Sequence, residues 1–471
     1  MSNSKGKELA KNTAIISFGK MCTQLVSFLL MPMYTAILST EEYGVVDLVV
    51  TYGQLLLPLV TIQMEQTLFR FLIDKRSDED GKKKVVSDVI SLTIYIMIAF
   101  SIIYMCISPL IKSEFKFHLL LSLFASVMSA MMLQSARGLG KNMVYAAGSF
   151  IAASGQVILN IIFIAVLRLG ASGMIFAMVI SQCICAIFVA CKIEFIKYFR
   201  FKLLNKNDIR EYLGYSAPLV PNAISWWILN ASDRSIILRF LGVGFNGIYS
   251  AANKFSGIYT TIYNIFNLSW TESVSLHLKD NNSSEEFSKL QSTIVRLCIS
   301  ASLGLISIMP FFFKILVNEK FDDAYYQIPL LTIGAFFSSM VGLVSAYYIA
   351  DKKTAVIART SMLCAAINIV VNLLLISHIG IYAASVSTVV AYALLYILRY
   401  FDVKKRFGIQ LENTLILSGF VMMIFTTVAY YTRNIVICGV SFIIYTIYAL
   451  IINREFIGTI LKTFKQKVIK K

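Results

Sequence analysis

The sequence predicts an all-α polytopic membrane protein with about 14 transmembrane helices, and its composition and apolar windows carry that prediction. Of the 471 residues, 57% are hydrophobic and 15% are charged, whereas soluble domains average ~45–50% apolar and ~25% charged residues. The apolar residues are gathered in windows of ~20 residues or more, the length of helix that crosses a hydrocarbon core. Short polar connections separate the windows, so consecutive helices are predicted to be antiparallel neighbours.

The windows follow one another along the whole chain. They cover residues 12–38, 43–69, 85–111, 117–136, 143–167, 171–191, 213–238, 244–270, 290–313, 326–349, 355–377, 381–400, 413–432 and 434–453. Lys and Arg in the loops set the orientation because they are enriched on the cytoplasmic side. With both termini cytoplasmic, 32 of the 43 Lys and Arg residues lie inside, seven lie outside and four lie within helices. Attraction to anionic lipid therefore accounts for most of the net charge of +17, and no nucleic-acid partner is predicted.

The helices divide into groups of six, six and two. The longest basic connection, residues 192–210, separates the first two groups, and the last two helices carry few charges. The predicted domains are an N-terminal six-helix lobe at 1–198, a C-terminal six-helix lobe at 199–408, and two extra transmembrane helices with a basic tail at 409–471. Because six is an even number, the two lobes share one orientation and are predicted to be parallel repeats.

No motif predicts a cofactor, a metal ion or an ATPase. Neither a Gly-rich phosphate loop nor a Walker lysine motif occurs, and His118, His277 and His378 are scattered near segment ends. The eight cysteines lack CxxC spacing and are predicted to be buried thiols rather than disulfides or metal ligands. They are Cys22, Cys106, Cys183, Cys185, Cys191, Cys298, Cys364 and Cys438.

Three cations interrupt the apolar helices and form the first candidate binding group. Lys20 and Lys254 are each predicted to lie roughly 12–15 Å deep in a ~30 Å core. Arg296 is predicted to lie about 10 Å from the cytoplasmic edge of its helix. Charges at membrane depth usually face a water-filled pathway, and convergent Lys and Arg side chains suit a phosphate or diphosphate. Snorkelling to the interface is the alternative, which Arg296 can reach more easily than the two lysines.

Two carboxylates lie on one face of the predicted helix 43–69. Asp47 and Glu65 are 18 residues apart, which is five helical turns, and Pro58 between them is predicted to kink the helix. Two interpretations stay open: the carboxylates are ion or proton sites, or they are counter-ions for Lys20 and Arg70.

The predicted helix 213–238 is unusually polar. Asp233 and Arg234 are adjacent, so their side chains diverge by about 100° on a helix and each needs its own partner. Asn222, Ser225 and Asn230 indicate a polar cavity wall of the kind that suits a sugar. The alternative is a tilted interfacial helix in which the Trp226–Trp227 pair belongs to the aromatic belt.

Two blocks of this sequence resemble polysaccharide flippases of the Wzx type. The first is Asn12–Arg70, with the turn Leu38-Ser39-x-x-Glu42-Tyr43-Gly44, and the second runs from Asp233-Arg234-x-x-Ile237 through Gly247-Ile248-Tyr249-Ser250 to Lys254. The resemblance implies the multidrug/oligosaccharidyl-lipid/polysaccharide exporter superfamily, whose MATE-like V shape has two six-helix lobes around a cationic cavity. It also implies a transporter rather than an enzyme.

The resemblance further implies a substrate and a location. The expected cargo is an undecaprenyl-diphosphate-linked oligosaccharide, translocated across the bacterial cytoplasmic (inner) membrane by alternating access. Lys20, Lys254, Arg296 and Arg234 are the expected contacts of the diphosphate, while Asp47, Glu65 and Asp233 are expected to couple an ion or to serve as counter-ions. Membrane lipids, a polysaccharide polymerase and glycosyltransferases are the expected partners, and the final polymer, whether O-antigen of lipopolysaccharide, capsule or cell-wall teichoic acid, stays open.

Three other functions compete with this interpretation. A multidrug antiporter of the same fold would export cations, but its cavity should be acidic, whereas the deepest charges here are basic. A lipid II flippase is close in chemistry. A membrane-embedded transferase would require clustered carboxylates or histidines and a sizeable domain outside the membrane, neither of which the sequence predicts.

Overall fold

The computed structural model describes residues 28–110, 113–278, 283–351, 353–409 and 413–458, and these residues contain helices and no strand. Eleven of the described helices are long and apolar enough to cross a membrane. A helix satisfies its own backbone hydrogen bonds, which lipid cannot do for it. The predicted all-α membrane fold is thus confirmed, while the count of 14 spans stays a prediction.

The chain forms two compact units, and the first holds the described residues up to Leu238 together with Gly242–Gly247. Its helices are α1 (Met31–Ile37), α2 (Thr40–Thr61), α3 (Met64–Asp74), α4 (Glu79–Ile107), α5 (Lys116–Gly138), α6 (Asn142–Asn160), α7 (Gly170–Ile193), α8 (Lys206–Ser216) and most of α9 (Leu219–Phe240). A π-helical turn, Ile161–Val166, continues α6.

The second unit begins at Ile248, within α10 (Val243–His277), and also holds Arg239–Leu241. Its other helices are α11 (Ser283–Leu316), α12 (Ala324–Ala350), α13 (Thr354–Ile379), α14 (Tyr382–Phe407), α15 (Asn413–Tyr431) and α16 (Ile435–Ile452). The hairpin α15–α16 packs against α11. The predicted boundaries at 198 and 408 follow sequence repeats rather than contacts, and they stay predictions.

A helix break follows Pro58, and the predicted kink at Pro58 itself stays a prediction. α2 begins with a capping box, in which the Ser39 hydroxyl accepts from the Glu42 backbone N–H and the Glu42 carboxylate accepts from the Ser39 backbone N–H. The helix continues through Pro58 and stops at Thr61. Ile62 and Gln63 then adopt left-handed backbone angles, with φ of 49° and 58°, before α3 begins.

Two sequence predictions need correction. The window 213–238 is divided between α8 and α9, because Pro218 lacks the backbone N–H that would continue the helical hydrogen bonds. The predicted burial of every cysteine is wrong for Cys106 and Cys191, whose side chains are exposed.

Candidate functional site

An ion pair joins α2 to α9 inside the first unit. The Arg234 Nε donates to the Asp47 carboxylate across 2.8 Å, and Asn246 at the start of α10 donates to the same carboxylate oxygen across 3.2 Å. The Arg234 and Asp47 side chains retain only 16% and 15% of their exposure. Breaking a buried pair of this kind is costly because it leaves an uncompensated charge.

The backbones of α2 and α10 meet beside this ion pair. A Cβ on Gly44 would overlap the carbonyl oxygen of Val243 and would lie 2.9 Å from the Gly247 backbone nitrogen. A Cβ on Gly247 would overlap the carbonyl oxygen of Thr40. Glycine is therefore required at both positions, and the Asn246 amide also donates to the Gly44 carbonyl across 3.2 Å. We call Gly44, Asp47, Arg234, Asn246 and Gly247 the α2 cluster.

A polar seam extends the α2 cluster along α9. The Trp227 indole N–H donates to the Thr51 carbonyl across 2.8 Å, and the Tyr52 and Ser235 hydroxyls are 3.2 Å apart. Both contacts place polar groups between two helices within a membrane fold. Such contacts can be made and broken at a modest net cost, because each hydrogen bond contributes only about 0.5–1.5 kcal/mol.

The four cations predicted to contact the diphosphate head group of the cargo lie in different parts of the chain. Lys254 is half-buried in α10, and Arg296 in α11 lies 3.6 Å from the carboxylate of Glu455, both within the second unit. Arg234 belongs to the first unit and is paired with Asp47. Lys20 lies outside the described residues. The convergence of these four cations on one cavity therefore stays a prediction.

The structure shows ion pairs other than the predicted ones, while pairing with Lys20 lies outside the described residues. Asp47 has Arg234 as a partner, a pairing across 187 residues that the sequence analysis did not consider. Arg70 forms its ion pair with Asp74, 2.5 Å away and one helical turn further on, rather than with Asp47 or Glu65. Glu65 and Asp233 are 6% and 4% exposed, and their role in ion coupling stays a prediction.

Of the three residues predicted to form a polar cavity wall, the structure describes the side chain of one. The side chains of Asn222 and Asn230 lie outside the described part of the chain. The Ser225 hydroxyl donates to the Pro221 carbonyl of its own helix across 2.9 Å. The helix as a whole is nonetheless polar, since neither α9 nor α10 is among the eleven helices that are apolar enough to span a membrane by composition.

The sequence analysis missed a buried arginine in the second unit. Arg399 was counted with the cytoplasmic loop cations, but it lies inside α14 and is 2% exposed. Its guanidinium donates to the hydroxyls of Ser345, Thr360 and Ser361 and to the Ile357 carbonyl, at 2.7–3.0 Å. The predicted window 381–400 already contained Arg399 next to its end, and the helix in fact continues to Phe407.

Comparison with known proteins places this chain in a family. A family profile described as polysaccharide biosynthesis protein matches residues 9–271, more than half of the chain. An uncharacterized membrane protein of Methanocaldococcus jannaschii is 22% identical over 411 residues, covering 81% of this chain and 94% of that protein. The chain therefore belongs to the polysaccharide biosynthesis protein family, and it is a multi-pass membrane protein.

Solved structures share its fold. The lipid II flippase MurJ in an inward closed conformation matches with a TM-score of 0.74 and 14% identity, covering 94% of this chain and 100% of that one. An inward-facing multidrug resistance MATE family transporter of the MOP superfamily matches with a TM-score of 0.65 and 13% identity, covering 82% and 94%. At these identities the likeness establishes the fold. The predicted resemblance to this superfamily is confirmed at the level of family and fold.

Proposed function

We propose that this member of the polysaccharide biosynthesis protein family translocates a lipid-linked oligosaccharide across the bacterial cytoplasmic membrane by alternating access. The observation that carries the proposal is the polarity of α9 and α10. Both are long helices of a membrane fold, yet their composition falls short of that of a lipid-facing span. Helices of this kind line a pathway for a polar cargo. The family description indicates that this cargo is used in polysaccharide synthesis.

Lys254 is the cation to which we assign the head group. It lies 11 residues after the first residue of α10, about 17 Å along the helix axis and therefore near the middle of a ~30 Å core. An undecaprenyl diphosphate would place negative oxygens beside this ammonium, with the sugar in the polar pathway and the polyprenyl chain in lipid. Lys20 and Arg296 are the further head-group contacts in this proposal.

The α2 cluster supplies the conformational step. In the described state Arg234 is neutralised by Asp47. We assign this contact to the closed outer face, where α2 meets the beginning of α10. When the outer face opens, α2 withdraws Asp47, and Arg234 then takes the diphosphate as its anionic partner. Each state thus gives the arginine one negative partner, which avoids the cost of a buried unpaired charge.

The experiment is the replacement of Lys254 in a strain that lacks the chromosomal copy of this gene. Lys254→Ala should abolish surface polysaccharide while the protein still accumulates in the membrane, and Lys254→Arg should restore part of it because the charge is kept. The matched control is Lys289→Ala, which removes an exposed lysine whose side chain retains 76% of its exposure. Full complementation by Lys254→Ala would overturn the head-group assignment.

Because the fold resembles those of a MATE transporter and MurJ, two other cargoes have to be tested, namely a cationic drug and lipid II. A cationic drug would be repelled by Lys254, because two unit charges about 4 Å apart at an effective dielectric near 20 interact by about 4 kcal/mol. Overexpression should therefore leave ethidium resistance unchanged. In vesicles, the purified protein should flip a fluorescent lipid-linked oligosaccharide faster than lipid II. Cation resistance would replace the proposal with an antiporter, and faster lipid II movement would replace it with a lipid II flippase.

A further inference from the structure

The segment that joins α7 to α9 is fixed along one face of α4. Its backbone bonds to side chains of that helix: Arg200 N–H donates to the Ser87 hydroxyl across 3.0 Å, and Lys202 N–H donates to the Ser91 hydroxyl across 3.4 Å. The Tyr95 hydroxyl donates to the Lys202 carbonyl across 3.4 Å. Ser87, Ser91 and Tyr95 are spaced one turn apart and share a helix face. The connection between the predicted lobes is therefore a docked element of the first unit.

A buried charge fastens the same segment. Asp88 is fully buried, and one of its carboxylate oxygens lies 2.6 Å from the Lys202 ammonium. The Tyr212 hydroxyl of α8 donates to the other oxygen across 3.2 Å. Burial, followed by the nearby negative charge of Asp88, raises the pKa of Tyr212, so this phenol stays a proton donor at physiological pH. An ion pair and a hydrogen bond from the segment thus hold one carboxylate of α4.

The apolar side chains of the segment divide between two directions. Phe195, Tyr198, Phe199 and Leu204 pack against the core of the first unit. Three others are exposed: Ile196 is 91% exposed, Leu203 is 88% exposed, and Phe201, whose ring centroid lies 5.3 Å from that of Tyr95 in α4, is 56% exposed. Docking on α4 therefore leaves an apolar surface that the described residues do not cover.

The depth of α4 in the membrane indicates what lies against this surface. A ~30 Å hydrocarbon core takes about 20 helical residues. Counted back from the end of α4 at Ile107, that length reaches Asp88. Ser91 and Tyr95 then lie inside the apolar layer, and the backbone of Lys202 is bonded to both. Phe201 and Leu203 are thus at the edge of the hydrocarbon rather than in water.

Charge defines the lipid class. Residues 192–210 contain six Lys and Arg residues and two acidic residues, and one of those acids, Asp208, is paired with Lys84 at 2.9 Å. Four cations alternate with these apolar side chains and are themselves exposed, namely Lys197, Arg200, Lys206 and Arg210. Cations beside exposed apolar groups are typical of a surface that lies on anionic phospholipid.

We propose that residues 195–210 form a binding surface for anionic phospholipid, with Ile196, Phe201 and Leu203 among the acyl chains and the four exposed cations on the phosphates. The surface is held at its depth by Asp88 and is independent of the proposed cargo. A soluble protein partner would also cover apolar side chains, but it would not explain their position beside the apolar stretch of α4.

The first experiment measures depth. A nitroxide is attached at Leu203→Cys, and in a separate protein at Asn207→Cys, after the exposed Cys106 and Cys191 have been changed to Ser. In phosphatidylcholine–phosphatidylglycerol vesicles the label at 203 should collide with oxygen more than with a water-soluble nickel reagent, and the label at 207 should do the reverse. A water-exposed label at 203 would overturn the proposal and leave the surface to a protein partner.

The second experiment tests the charge. Native mass spectrometry counts the phosphatidylglycerol and phosphatidylcholine that stay bound to the full-length protein. Changing the four exposed cations to Gln should lower the preference for phosphatidylglycerol by fivefold or more, since about 1 kcal/mol per surface cation is about fivefold. The control changes four cations of the second unit, Lys353, Arg359, Lys404 and Arg406, and should lower the preference clearly less. Equal losses in both proteins would refute a specific surface.

Discussion

A methyl group at Gly44 is expected to hold α2 and α10 apart. Its Cβ would overlap the Val243 carbonyl oxygen and would lie 2.9 Å from the Gly247 nitrogen, so the two backbones have to separate. The hydrogen bond from Asn246 to the Gly44 carbonyl is already 3.2 Å long and would be lost with a shift of a few tenths of an ångström. Overpacking costs about 1–3 kcal/mol and the hydrogen bond about 0.5–1.5 kcal/mol.

The sum of about 2–4 kcal/mol is a bias of roughly 30- to 700-fold against the closed contact. A disulfide reports it directly. A Cβ at Gly244 would lie 3.5 Å from the Thr40 hydroxyl oxygen, which suits a disulfide between Thr40→Cys and Gly244→Cys. After proteolysis at a site engineered into the exposed turn 76–78, the disulfide holds the two fragments together. Its rate of formation should fall at least tenfold in Gly44→Ala.

The control is Gly53→Ala, in the same helix. A Cβ there meets nothing within 4 Å, so the variant gains the same helix propensity without the overlap. It should cross-link at the parental rate and translocate normally. If Gly44→Ala cross-links as fast as Gly53→Ala and its melting temperature is unchanged, the two backbones are not in contact and the assignment of the outer closure is wrong.

Three further outcomes are expected. Lys202→Met should lower the free energy of unfolding more than Asp88→Asn does. The first change leaves a fully buried carboxylate without its cation, whereas the second leaves only a half-exposed ammonium without its anion. In chemical denaturation the double variant should recover most of the loss. Arg399→Met and Arg399→Lys should both lower the melting temperature by several degrees, because neither side chain can reproduce the guanidinium's contacts with α12 and α13. Reporter fusions should score cytoplasmic at Lys75 and external at Asp322, and a reversed pair would overturn the orientation.

The sequence predicted the helices well and their interruptions poorly. Each membrane helix satisfies its own backbone, so an apolar window is a local signal that tertiary contacts seldom override. The break at Ile62 and Gln63 has no such signal: neither residue is Gly or Asn, yet both adopt positive φ. Pro58 was predicted to kink the helix rather than end it, and the helix continues for three residues beyond it.

In the candidate site, too, the sequence predicted which residues are important but not which distant residues they contact. Asp47 and Arg234 were both selected from the sequence as buried charges, but their pairing depends on a contact across 187 residues. The pair is determined by the close approach of Gly44 and Gly247, which periodicity cannot predict. Arg399 was missed for a local reason, since it lies one residue before the end of the predicted window and was grouped with the loop cations that follow, whereas the helix continues to Phe407.

The difference between the repeat boundary and the contact boundary is itself informative about mechanism. The sequence assigns α9 to the second predicted lobe, whereas contacts place α9 as far as Leu238, and Gly242–Gly247 of α10, with the first unit. The α2 cluster and the seam from Trp227 to Thr51 make those contacts. If the cluster is the closed outer face, opening it removes what binds α9 to the first unit. A Gly44→Ala protein should then show increased hydrogen exchange along the face of α9 that contacts α2.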